Sequence, residues 1–485
     1  MISLIGNELK KIFKKKTIYI LLIIIVGYIL LSNILIKATD NGYSYYYYYE
    51  GDIEYYKDYL SNLDSNNPAD IPTYIDMQTQ IELLELTKEY GNKSWQAYVI
   101  NNMMNSYIRT MVSYEYSDET TLDAYNTAKA SYDTALEKLQ ADDWKYFVNA
   151  DLEYINNSLE EQYQLRDNTQ DKQLLTGIED TIYDLELQKQ IDEWRLEKNI
   201  SYAPSFLNDA LNDYYDSQYA LHQYEDRNIN ELSSEELHNY QSVLETTNLN
   251  RYYIDNMISL DSNSRTSFLN LFNSYELFIL IVGIVIAGSI VSEEFNRGTI
   301  KLLLVKPYNR IKILLSKFIV CMIILALTIA FIYVFQLICG GIINGFEDMT
   351  LPAIVYNFDT NRVESINIFA YVALVGICKL PIYVLLTTLA FACSTIFTNT
   401  ALAVAVPFLG YIASSLINQF ALAYDIKQII YFVTPNWDLS VYLFGGTPLF
   451  DGLTLPFSII ICVIYLIIML VVSCVVFKKR DIKNI

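Results

Sequence analysis

The chain has 485 residues, a formal net charge of −21 and a mean hydropathy of only +0.19. These totals exclude a uniformly apolar transporter, and so acidic a chain is not expected to take a nucleic-acid partner. The average hides two populations: Lys37 to Phe272 holds 16 Lys/Arg against 43 Asp/Glu, and the remainder holds 18 against 12. An acidic body is therefore joined to a basic, apolar membrane part.

The first element is Thr17 to Ile36, an apolar run without a charge that follows Lys10, Lys11, Lys14, Lys15 and Lys16. A helix needs about 20 apolar residues to cross a bilayer. The run is too long for a signal peptide and has no small-residue cleavage site after it, so an uncleaved first span (17–36) is expected.

Residues 37–272 follow as an acidic helical domain, expected to be extracellular. Tyr125, Ala128, Tyr132, Ala135 and Leu139 recur at heptad spacing, as do Leu175, Ile178, Ile182 and Leu185, with the stripe then moving to Leu187, Ile191 and Trp194. Pro68, Pro72, Gly91 and Pro204 mark the breaks. Three to five long helices packed as antiparallel hairpins are expected. The opening, Gly42 to Tyr59, is rich in tyrosine and carboxylates. It reads either as a surface for cationic peptides or as an aromatic belt at the membrane. All six cysteines lie after residue 272, so this domain must rely on packing alone, and the cysteines read as small apolar core residues.

No signature of chemistry appears. There is no phosphate-binding G-x-x-x-x-G-K-[ST], no H-E-x-x-H and no G-x-S-x-G, and the two histidines, His222 and His238, lie 16 residues apart. No metal, no cofactor in this chain and no enzyme activity are expected, so active transport would need a partner or an ion.

Five further apolar runs occur at Tyr275–Ser292, Phe318–Ile338, Ile368–Ser394, Ala401–Phe420 and Leu455–Phe477. With the N-terminus inside, the cytoplasmic segments collect nearly all the remaining Lys and Arg, while the loops at 339–367 and 421–454 hold only Arg362 and Lys427. The positive-inside rule then places both termini in the cytoplasm of a multi-pass plasma-membrane protein. The expected fold class is all-α: about six transmembrane helices, five of them in 273–485, with a large extracellular helical-bundle or coiled-coil domain between the first two.

The first inner loop, residues 293–317, reads EEFNRGTIKLLLVKPYNRIKILLSK. Glu293 and Glu294 mark the exit of the second span, Gly298 and Thr299 make a break, and an apolar turn around Leu303 ends at Pro307 before Arg310 and Lys317 lead back. A short amphipathic helix of this kind suits docking of a soluble protein, and equally an ordinary basic interfacial loop. The arrangement resembles the loop after the second span in type-2 ATP-binding-cassette (ABC) exporter permeases. The resemblance implies that Glu293, Glu294, Gly298, Thr299, Leu303, Pro307, Arg310 and Lys317 couple the spans to cytoplasmic ABC ATPase subunits, which bind the ATP and Mg. It also implies a second permease half, identical or paralogous, and an amphipathic interface helix over residues 1–16 with Ile2, Ile5, Leu9, Ile12 and Phe13 on one face.

Lys379 stands inside the fourth span beside Pro381 with no evident partner, Glu276 being near the outer end of the second span; it is the candidate for the substrate path. The segment Asp425 to Gly452 is long for a connector and suits a re-entrant helix. The function expected is export of an amphipathic substrate such as a peptide antibiotic, toxin or lipid-like compound. An ion-exporting permease and a membrane-anchored receptor or scaffold, whose outer helices bind a ligand such as a peptide, are the alternatives.

Overall fold

The structure, a computed structural model, describes residues 1–39, 50–64, 67–117, 120–225, 227–260, 263–298, 309–346, 349–397 and 399–480. The tyrosine run before Glu50 and loop positions Thr299, Leu303 and Pro307 lie outside the described residues. The chain divides into two compact units, one of residues 1–40, 226–245 and 262–485, the other of 41–225 and 246–261.

Helices α1 (Ile2–Phe13) and α2 (Lys16–Thr39) open the first unit. The second unit takes α3 (Glu50–Ser61), α4 (Ile71–Tyr90), α5 (Trp95–Asn102), α6 (Asn105–Tyr116), α7 (Leu122–Gln140), α8 (Trp144–Asn168), α9 (Lys172–Lys198), α10 (Phe206–His222) and the second half of α11 (Ser234–Asp255). Side-chain caps start five of these helices, α5 and α7 to α10: Ser94, Thr121, Asp143, Asp171 and Ser205 each accept a hydrogen bond from a backbone N–H two or three residues on. Asn199, in the left-handed region at φ 56°, ends α9.

The apolar stripes find several partners rather than one. Ala135 and Leu139 of α7 join Leu83, Val99, Ile100, Met104 and Ile108, Leu187 to Trp194 join Leu211, Tyr214 and Ile254, and Ile155 and Leu159 of α8 meet Ile182 and Leu185 of α9. The expected coiled coil is thus replaced by a bundle with three small cores. The eight residues of α5 and twelve of α6 are too short to sustain a seam, which needs several heptads in register.

The first unit continues with α12 (Asn263–Leu269), α13 (Leu271–Ser274), α14 (Glu276–Ile290), α15 (Ser292–Asn296) and α16 (Arg310–Asn344). After a hairpin of β1 (Ala353–Asn357) and β2 (Arg362–Ile366) come α17 (Ile368–Cys378), α18 (Leu380–Ile396), α19 (Thr400–Ala423) and α20 (Leu455–Lys479). Among the described residues, six helical stretches are long and apolar enough to span a bilayer. Their outward faces, with Ile23, Leu409, Leu416 and Ile467 exposed, match a lipid solvent rather than water.

The most buried of these stretches begins with α14, and glycine sets how closely it packs. A Cβ on Gly283 would collide with Thr387 Oγ1 of α18, and one on Gly288 would lie 2.8 Å from Val404 and 3.1 Å from the Ala403 carbonyl of α19. Pro407, which has no N–H to donate to that carbonyl, frees the space Gly288 occupies. On the other flank, Asn33 of α2 donates to Gln336 of α16 at 2.9 Å, and Tyr275 donates to the same Gln336 at 2.8 Å. A polar network of this kind fastens α2 where apolar contacts alone would let it slide in lipid.

Two local expectations change. The hairpin interrupts the all-α pattern: its strands pair antiparallel from Ala353↔Ile366 to Asn357↔Arg362, and Asn357 Oδ1 shapes the turn by accepting from the backbone of Asp359 (3.0 Å) and Thr360 (3.3 Å). The fourth span, Ile368–Ile396, is interrupted for the one residue Lys379, whose φ of −88° and ψ of −4° stay in the helical region. Asp425 to Gly452 holds two 3-10 turns, Lys427–Tyr431 and Leu439–Gly445, instead of a re-entrant α-helix. Fully buried Asn436 explains the last point: its amide donates to the carbonyls of Ile430 and Phe432, giving that backbone a partner other than the next helical turn.

Candidate functional site

Two buried lysines in the membrane unit each gather two carboxylates. The first is Lys317, two turns into α16. The chain reaches it through a bend at Val291, where Ser394 Oγ accepts from the N–H groups of Val291 (3.1 Å) and Ser292 (2.9 Å) and so ends α14. The short α15 then carries Glu293 and Glu294 back beside α16.

Lys317 is 0% exposed, and its Nζ lies 2.7 Å from Glu8 Oε2, 2.8 Å from Glu294 Oε1 and 3.4 Å from the Ile290 carbonyl. Lys11 bonds Glu8 at 2.8 Å and reaches Glu294 at 3.3 Å, while Lys15 pairs with Glu293 at 2.8 Å. A charge removed from water is tolerated only when paired and hydrogen-bonded, and here both conditions hold. Burial by itself raises the Glu8 carboxyl, but the Lys317 charge and the hydrogen bonds from Lys11 and Lys317 outweigh it and hold Glu8 below its ordinary range. Lys11 behaves in mirror image: burial disfavours its charge, and Glu8 and Glu294 more than restore it.

The buried face of α1 is therefore Leu4, Glu8 and Ile12, with Ile5 and Leu9 partly covered. Ile2 and Phe13, expected on that face, are exposed. The reason is ionic: a face centred on Glu8 satisfies Lys317, whereas one centred on Ile2 and Phe13 would leave that lysine with fewer partners. Glu8 is absent from the sequence-predicted set. Its signal was available, since it is the one carboxylate in residues 1–16 and stands four residues from both Leu4 and Ile12.

Of the predicted coupling residues, Glu293, Glu294 and Lys317 are thus brought together. Gly298 follows α15 with φ +65°. Arg310 goes elsewhere, donating to the carbonyls of Lys478 (3.3 Å) and Arg480 (3.4 Å) at the end of α20.

The second lysine is Lys379, between α17 and α18. It is the single residue between them, and it meets Glu276, the first residue of α14. Its Nζ lies 2.8 Å from Glu276 Oε2 and 3.0 Å from Asp438 Oδ2, and Tyr411 donates to the other Glu276 oxygen at 2.9 Å. Lys379 consequently has partners that its sequence neighbourhood did not reveal. Asp438 could not be foreseen, because it sits in irregular backbone with no periodicity to orient it.

These features define a multi-pass, mostly helical membrane protein. A family model described as a protein of unknown function (DUF2705) matches residues 238–483. The uncharacterized protein YhcI of Bacillus subtilis (strain 168) is 32% identical over 242 residues, covering 50% of this chain and 76% of that protein. The uncharacterized membrane protein YdbK of the same organism is 33% identical over 211 residues, covering 43% of this chain and 80% of that protein. The chain belongs to the DUF2705 family. No solved structure matches.

These findings correct the resemblance to type-2 ABC exporter permeases, because the family matched is DUF2705 and no ABC permease family is indicated. The physical reason is that a loop leaving and re-entering a membrane calls for glutamates, a break, a short apolar turn and basic residues in any family. The motif was carried by interfacial chemistry rather than by ancestry.

Proposed function

We propose that this chain is a membrane transport subunit that moves an amphipathic substrate outward, driven by a separate cytoplasmic ATPase. The observation that carries the reading is the sealed Glu8–Lys317–Glu294 cluster, which links the surface helix α1 to α15 and α16. A partner pressing on α1 would pass its displacement to two spans through a contact that resists breaking. In this reading both termini are cytoplasmic, as the distribution of Lys and Arg favours, the helical domain is on the outer face, and a second transport half completes the path.

Inside-out vesicles provide the test. ATP-dependent uptake of a labelled amphipathic peptide or a labelled lipid, together with an ATPase that co-purifies with the chain, is expected. Absence of both would sink the reading. A membrane-anchored receptor is the second reading, favoured by an open groove of about 710 Å³ along α8 and α9 that includes Glu160, Tyr163, Glu186 and Glu193. It predicts ligand binding by the helical domain with no ATP-dependent movement.

A further inference from the structure

A cavity of about 300 Å³ lies within the membrane unit, near the Lys379 cluster, at the small end of the range for ligand pockets. The first half of α11 forms one wall and is pinned in place. Ser234 N donates to Asp451 at 2.9 Å, Thr447 N donates to Gln241 at 2.8 Å, and His238 Nδ1 lies 2.7 Å from the Thr447 carbonyl. A carbonyl only accepts, so His238 Nδ1 carries a proton, and the tautomer protonated there alone has a lone pair on Nε2.

Four aromatic rings line the cavity, those of Tyr356, Phe358, Tyr371 and Phe444. Phe444 is held in the left-handed region at φ 56°, which a bulky side chain rarely adopts, and its carbonyl accepts from Phe358 N at 2.8 Å. Gly445 follows at φ +79°, where an added Cβ would lie 2.8 Å from Asp359. The strained pair aims the Phe444 ring parallel to that of Tyr371, with centroids 6.2 Å apart. Strain of this kind tends to collect where a ligand must be met.

Glu245 also lines the cavity, and no described residue bonds to or pairs with its carboxylate. Burial alone pushes this carboxyl above its ordinary range. Among the described residues, no lysine or arginine lines the cavity. Ring faces and a carboxylate together attract a cation and repel an anion. A hard metal ion would need six or more oxygen ligands, which aromatic walls do not offer.

We propose that this cavity binds the ammonium group of an aliphatic primary amine, with Glu245 as counter-charge, the four rings around the methylenes and His238 Nε2 as a further acceptor. A primary amine suits it better than a quaternary one, because its N–H donors use those acceptors. The amine is either a free small molecule or a lysine side chain on a peptide. The proposal does not depend on the transport reading.

Calorimetry on the full chain in detergent tests it, with butylammonium as the free amine, N-acetyl-lysine methylamide as the peptide-borne one and butanol as the uncharged isostere. At least one amine is expected to bind saturably while butanol does not, and Glu245→Gln is expected to weaken binding tenfold or more. Stronger binding of one amine assigns the source, and either preference upholds the site. Failure of the wild type to bind both amines, or unchanged affinity in E245Q, overturns the proposal. Should E245Q lose its thermal transition, the wild type decides: a Tm raised by butylammonium but not by butanol supports the site, and equal shifts refute it.

Discussion

Lys317 and Lys379 have the same formula and different surroundings. Each is a single ammonium between two carboxylates within the membrane unit. Around Lys317 the side chains are 0%, 8% and 13% exposed, whereas around Lys379 they are 7%, 15% and 40%, the last being Asp438. A sealed cluster has little access to water, so loss of Lys317 leaves Glu8 and Glu294 with only the half-exposed Lys11 as counter-charge. An open cluster can turn a carboxylate to water and recover part of that loss. The same ion pairing therefore acts as a rivet at one end and as an adjustable contact at the other.

The sharpest way to break this comparison is Lys317→Met, which keeps the volume and leaves Glu8 and Glu294 sharing only Lys11 at the edge of the cluster. A loss of about 3–5 kcal/mol is expected from breaking a buried pair, read as a fall in Tm and as new protease cleavage within α1. If α1 stays protected, the rivet does not exist. Lys379→Met comes next, at about 1–3 kcal/mol, the scale for leaving a buried polar partner unsatisfied. A larger loss here than at Lys317 would reverse the comparison.

Arg310→Ala should cost less still, about 1 kcal/mol or below, because its contacts to the α20 carbonyls are long and largely exposed. It serves as the control for a basic residue of the same loop that joins neither cluster. The last prediction isolates one carboxyl through pH. Glu8 is held below its ordinary value of 4.5, so its contribution is fully present above that value and is lost as pH falls through the folded-state value. Protection of α1 from protease should therefore decline on acidification below 4.5. In Glu8→Gln the decline should be flatter, and an identical profile would show that another group governs it.

Much of the architecture was legible from local pattern. The six apolar runs became spanning stretches, and the apolar stripe that shifts phase after Leu185 reappears as two successive buried faces of α9, with Ile182 and Leu185 on one and Leu187, Ile191 and Trp194 on the other. Both are sums over neighbours in the chain, which hydropathy and periodicity record directly. The β-hairpin was missed because its five-residue strands lie between two apolar runs, where an outer loop was expected. The re-entrant helix failed because helical propensity does not register a single Asn436 redirecting the local carbonyls.

The sequence by itself determined that this is a membrane protein with six apolar stretches and a separate acidic helical body, since burial in lipid and solvation in water act on composition segment by segment. Only the tertiary structure decided what the charges within it do. Lys317 finds Glu8 across 309 positions and Lys379 finds Asp438 across 59. Coulombic pairing depends on distance in space, and no periodicity along the chain encodes that distance.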